Sequence, residues 1–162
     1  MNTATLHAID ADELDEVRTT GSDRAGHRAE PLLDTNGGRQ LRCCLGRSEP
    51  GETLLLISHA PLRQERPWRE IGPVYVHADR CDGYDPATGV PGWLDDAPRV
   101  LRAYRADGSM QHPSHRIVEP GQRGGVAAAL SEMLREPEVV EVHVRNLREQ
   151  CFIVRATAVE PG

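Results

Sequence analysis

Apolar and polar positions follow two periods along this chain. In "IGPVYVHA" they alternate, so an extended strand puts Val74 and Val76 on one face and Tyr75 and His77 on the other. "VVEVHVRN" divides the same way, with Val140, Val142 and Val144 opposed to Glu141, His143 and Arg145. "RQLRCCL", "ETLLLISHA" and "RVLRAYRA" also read as strands. "ADGSM" carries an Asp-Gly turn that favours a hairpin, with "HRIVE" as its return strand. "EVVEVHVRN" and "CFIVRATAV", joined by "LREQ", predict a closing hairpin.

The helical period appears twice. In "GGVAAALSEMLREP", Val126, Ala129, Leu130, Met133 and Leu134 make one apolar stripe, and Pro137 stops the helix. "DADELDEVR" offers Asp10 as an N-cap, acids in the first turn, and Leu14 and Val17 on one side. The segment from Thr19 to Gly38 is rich in Gly, Asp, Ser and Pro and reads as loop. Connections are mostly too short for parallel crossovers. The order therefore predicts an α+β fold, with a mainly antiparallel sheet and one or two covering helices. A length of 162 residues fits a single domain spanning 1–162.

Composition narrows the function. The net charge is −6 and the cations are all arginine, so no clustered basic footprint for nucleic acid is expected. Without lysine, Schiff-base and lysine general-base chemistry are excluded. Apolar runs such as Leu54–Ile57 are too short to span a membrane, and the N-terminus does not read as a secretory signal. A cytoplasmic location follows as an expectation. Cys43, Cys44, Cys81 and Cys151 show no C-x-x-C pair and no disulfide framework, so free thiols are expected.

Phosphate-binding glycine loops and the hydrolase nucleophile elbow are absent, so no organic cofactor is expected. His112 and His115 in "HPSH", with His77 and Cys81, are suitable donors, but their spacing matches no zinc signature and no metal is assigned. The acids of "DRCDGYDPATG" do not fit a calcium loop. His77 and His143, if their strands lie side by side, would share a polar surface with Arg145 and a thiol. Imidazole there supplies acid/base chemistry near neutral pH, and a neighbouring cation would turn the thiol into a nucleophile.

Four runs together carry a family resemblance: "LRCCLGRSEPGETLLLISHAP", "GPVYVHADRC", "VLRAYRADGSM" and "VEVHVRNLREQCFIVRA". The chain resembles the domain of unknown function 1203 family, small and mostly bacterial single-domain proteins, over about residues 40–156. Residues 1–39 would then be an N-terminal helix and loop. The family's motif near the C-terminus resembles H-V-H-N-A-R-P-G-C-F. Here Arg145 stands in place of its second histidine and Glu149-Gln150 in place of Pro-Gly. The positions matching polar motif residues are Arg42, Cys44, Glu52, His77, Arg102, Tyr104, His143, Asn146 and Cys151.

These readings combine into an expectation. The protein is a small enzyme without organic cofactor, acting on a small polar or anionic metabolite, in a specialised biosynthetic pathway. His77, His143 and Cys151 are the catalytic candidates. Arg42, Arg102, Tyr104, Arg145 and Asn146 are the substrate-binding candidates, since guanidinium groups suit carboxylates. A non-catalytic ligand-binding or accessory protein and a metal-binding module are the alternatives. A small-molecule ligand is the expected partner, with neither nucleic acid nor membrane. The oligomeric state stays open, a homodimer included.

Overall fold

The structure is a computed structural model and describes residues 4–161. Its elements are β1 (Ala4–His7), α1 (Ala11–Thr20), β2 (Pro31–Asp34), β3 (Glu52–His59), β4 (Gly72–His77), β5 (Arg99–Tyr104), β6 (Arg116–Val118), α2 (Gly125–Met133), β7 (Glu141–Asn146) and β8 (Phe152–Ala158). The strands form two antiparallel sheets, in the orders β1-β8-β7-β5-β6 and β2-β3-β4. This is the α+β, mainly antiparallel architecture that the element order predicts. No described helix is long and apolar enough to cross a membrane.

The described chain folds as two compact units interleaved in sequence. The larger comprises residues 4–7, 61–70 and 85–161, and the smaller 8–60 and 71–84. In the larger unit, Leu101, Ala103, Val142, Val144, Val154 and Ala156 form the apolar side of the sheet. Helix α2 packs on β1, β5 and β6 and buries its predicted stripe of Val126, Ala129, Leu130 and Met133. Burying each such aliphatic side chain contributes roughly 1.5–3 kcal/mol. Asp95 accepts the Val126 amide at 2.8 Å and so caps the start of α2. In the smaller unit Val74, Val76, Leu55 and Ile57 are buried on one face of β3 and β4, and Leu54 of β3 and Leu14 and Val17 of α1 are buried as well. Tyr75 and His77 lie on the other face of β4, as the alternation requires.

Three local readings change. Ala4–His7 is a strand paired with β8, and Pro31–Asp34, inside the supposed loop, is a strand paired with β3. Both are four residues long, too short to show a period. "RQLRCCL" is not a strand but a tight turn. Its Leu45 amide bonds the Leu41 carbonyl at 3.0 Å, the Leu41 amide bonds Gly46 at 3.0 Å, and Leu45 takes a left-handed φ of 58°.

The polar side of β7 is as buried as its apolar side. His143 is 0 % exposed, and its Nε2 meets Glu141 Oε1 at 2.7 Å. Burial holds its pKa below the ordinary 6.5, helped by Arg145 and Arg155 and opposed by Glu141. Folded, the ring stays neutral where the unfolded chain takes up a proton. Stability is therefore expected to fall as pH drops below 6.5, by up to about 1.4 kcal/mol per pH unit. Urea unfolding at successive pH values checks this, and His143→Gln should flatten that part of the profile. An unchanged profile in the variant would show that other groups set it.

Candidate functional site

The turn at residues 41–46 decides the chemistry of the smaller unit. On a strand, adjacent cysteines would face opposite ways. Here the chain reverses, and the Arg42 amide bonds the Tyr75 carbonyl at 3.0 Å, which docks the turn on β4. Cys43 and Cys44 both then reach His77 at the end of that strand. Their Sγ atoms lie 3.5 and 4.0 Å from His77 Nδ1. Cys81, in the loop after β4, completes the group, and all four donor atoms lie within 4.8 Å of one another.

Tetrahedral zinc with three sulfurs and one imidazole nitrogen needs S···N separations of about 3.6 Å and S···S of about 3.8 Å. The Cys43 and Cys44 sulfurs, at 3.5 and 4.0 Å from His77 Nδ1, bracket the S···N value, and no two donor atoms of the cluster are more than 4.8 Å apart. Its hydrogen bonds suit thiolates. The His77 amide donates to Cys43 Sγ at 3.3 Å. A hydrogen bond from the Cys43 thiol brings Cys44 down to about 6, against the opposing pull of burial, with further help from the Gly46 amide, His77 and Cys81. That same bond, with burial, pushes Cys43 up. A thiolate thus forms readily at Cys44, whereas Cys43 is held as the thiol.

Glu52 sets the tautomer of His77. Its Oε1 lies 3.2 Å from His77 Nε2, and since a carboxylate only accepts, Nε2 carries the proton. Nδ1 then presents its lone pair to the thiols. Glu52 is itself held by the Glu49 amide at 2.8 Å. A carboxylate behind a metal-ligating histidine is the usual outer partner of such sites.

The other predicted residues are distributed differently. Arg42 is buried beside the turn and donates to the Gln40 carbonyl. His77 and His143 are not on neighbouring strands: β4 pairs with β3, β7 pairs with β5 and β8, and the two strands belong to separate sheets. Cys151, Asn146, Arg102, Tyr104 and Arg145 belong to the larger unit with His143. Asn146 donates to Cys151 Sγ at 2.9 Å and accepts from Arg99 at 2.8 Å. Arg102 and Arg145 meet Glu70 at 2.8 and 2.6 Å. His112 and His115 meet edge to face in the larger unit and contribute nothing to the cysteine cluster.

The sequence reading grouped His77 and Cys81 with His112 and His115, whereas the structure gathers them with Cys43 and Cys44. The usable signal was the Cys-Cys pair once "RQLRCCL" is read as a turn, together with a histidine ending a strand four residues before a third cysteine. Glu70 carried no signal at all.

Residues 38–157 match the model of the family described as "Protein of unknown function (DUF1203)", so the chain belongs to that family. No curated protein and no solved structure matches it.

The cysteine turn hangs from one buried carboxylate. Asp34 accepts the Ser48 hydroxyl at 2.5 Å and the Gly37 amide at 3.1 Å, and Ser48 accepts the Arg39 amide at 2.8 Å. The Ser48 bond, ahead of burial's opposing effect, holds the Asp34 carboxyl below the usual range. In Asp34→Ala, amide exchange across residues 41–46 is expected to quicken at least about ten-fold, with Val142 and Val144 unaffected. Hydrogen–deuterium exchange reads this directly. Unaltered exchange in the turn would mean that the loop holds itself.

Proposed function

We propose that this DUF1203-family protein binds a thiophilic divalent cation of the zinc class through Cys43, Cys44, Cys81 and His77. One observation carries the reading: four donors of the right type converge at separations suited to tetrahedral coordination, with the histidine already oriented by Glu52. Thiolate donors select zinc, cuprous or iron–sulfur centres over magnesium or calcium, and a lone imidazole with three thiolates suits zinc.

Four protein ligands leave no open coordination position, which is the pattern of a structural centre. The smaller unit has such a need. It holds about 70 residues around a three-stranded sheet, a size at which a hydrophobic core alone is marginal. A cation here would tie the turn at 41–46, the end of β4 and the loop at Cys81 to one point. In this reading His77 is a ligand, and acid/base turnover at that residue is not part of it.

Cobalt(II) added to the reduced, metal-free protein is expected to bind one ion per chain with the strong visible bands of a tetrahedral thiolate site. Cys81→Ser and His77→Ala should each weaken binding at least about a hundred-fold, and Glu52→Gln about ten-fold through the imidazole. Octahedral, weakly coloured cobalt, or tetrahedral bands that survive in Cys81→Ser, would overturn the proposal.

A further inference from the structure

The five-stranded sheet has a polar face whose hydrogen bonding is incomplete. Paired residues on neighbouring strands point to the same side. Arg102, His143, Arg155 and His7 therefore form a row across β5, β7, β8 and β1, and Val100 and Arg145 belong to the next row. A bulge after Val144 shifts the register at Arg145. His143 is 0 % and Arg145 6 % exposed.

Each of these two residues has one buried polar atom with no partner among the described residues: His143 Nδ1 and Arg145 Nε. Their chemistry is opposite. His143 Nε2 donates to Glu141, so Nδ1 of the neutral ring holds a lone pair and needs a donor. The ring is wedged between Tyr104 and Phe152, at centroid distances of 4.3 and 5.5 Å. Arg145 Nε is an N–H and needs an acceptor. Its Nη1 is already committed to the Gln150 carbonyl at 2.9 Å.

Glu70 answers only part of this demand. A single oxygen, Oε2, serves Arg102 Nη1 at 2.8 Å and Arg145 Nη2 at 2.6 Å, which leaves the Nε edge empty. Glu70 belongs to no strand, and its side chain is 49 % exposed. A free carboxylate in its place would grip the Nε and Nη2 edge of Arg145 with two oxygens, the fork geometry that guanidinium prefers, and would still reach Arg102. Positions 143 and 145 are about 6.6 Å apart along the strand. A ligand hydroxyl next to that carboxylate offers the kind of donor that His143 Nδ1, on the same face, lacks.

We propose that this face is a binding site for a small hydroxy-carboxylate, held by Arg145, Arg102 and His143, with Glu70 as the resident carboxylate that the ligand displaces. The site is independent of the cysteine cluster.

Removing the resident group tests it. Thermal unfolding of the full chain is followed with glycolate, acetate or chloride at equal ionic strength. In Glu70→Ala, glycolate at ten times its Kd is expected to raise Tm by about 3 °C over chloride, with acetate giving a smaller rise. Glu70→Gln, which keeps the side-chain volume, should respond the same way and serves if the alanine variant folds poorly. Adding Arg145→Lys keeps the charge but removes Nε, and should cancel the glycolate effect. The proposal fails if neither Glu70 variant distinguishes glycolate from chloride, if acetate matches glycolate, or if the response persists with Lys at position 145.

Discussion

The reversal of the chain at Leu41–Gly46 is the constraint on which the chemistry of the smaller unit depends. Two consecutive side chains can serve one centre only where the backbone turns between them. The left-handed Leu45 and the paired 41–46 carbonyl and amide bonds impose that turn, and the Arg42 bond to Tyr75 fixes its distance from β4. Everything else at the cluster is then a short reach. His77 arrives because β4 ends there, Cys81 because the loop begins there, and Glu52 because β3 runs beside β4 with its first residues near His77.

The larger unit depends on a different economy. Its sheet buries an aliphatic face against α2 and, on the other side, Arg145, His143 and Tyr104. Charges survive there because they have counter-ions: Glu70 contacts both Arg102 and Arg145, and Glu141 contacts Arg155 while also bonding the neutral His143 ring. Such sharing is geometrically demanding. It leaves Arg145 Nε and His143 Nδ1 without partners among the described residues.

Much of the fold was legible because long elements repeat a period. The stripe on α2, the alternation in β4 and β7, and the closing hairpin all follow from side-chain direction on helices and strands. Resemblance motifs added the family and picked out Arg102, Tyr104, His143, Asn146 and Cys151, which the structure gathers in one unit. The misreadings share a cause. β1 and β2 are too short to display a period, and "RQLRCCL" has β-like composition while its hydrogen bonds close a turn. Composition describes the residues of a segment, but where the backbone bonds go is settled by the rest of the chain.

By itself, the sequence determined the residue types available, the α+β order of elements and which face of each long element turns inward. Those follow from local periodicity and from the transfer of apolar groups out of water. Only the tertiary structure decided which donors meet. It assigned the strands of His77 and His143 to different sheets, and it drew Cys43, Cys44 and Cys81 around His77. It also placed Glu70 against both Arg102 and the buried Arg145. Such meetings join residues tens of positions apart, and their distances depend on strand register and turn geometry, which no local pattern encodes.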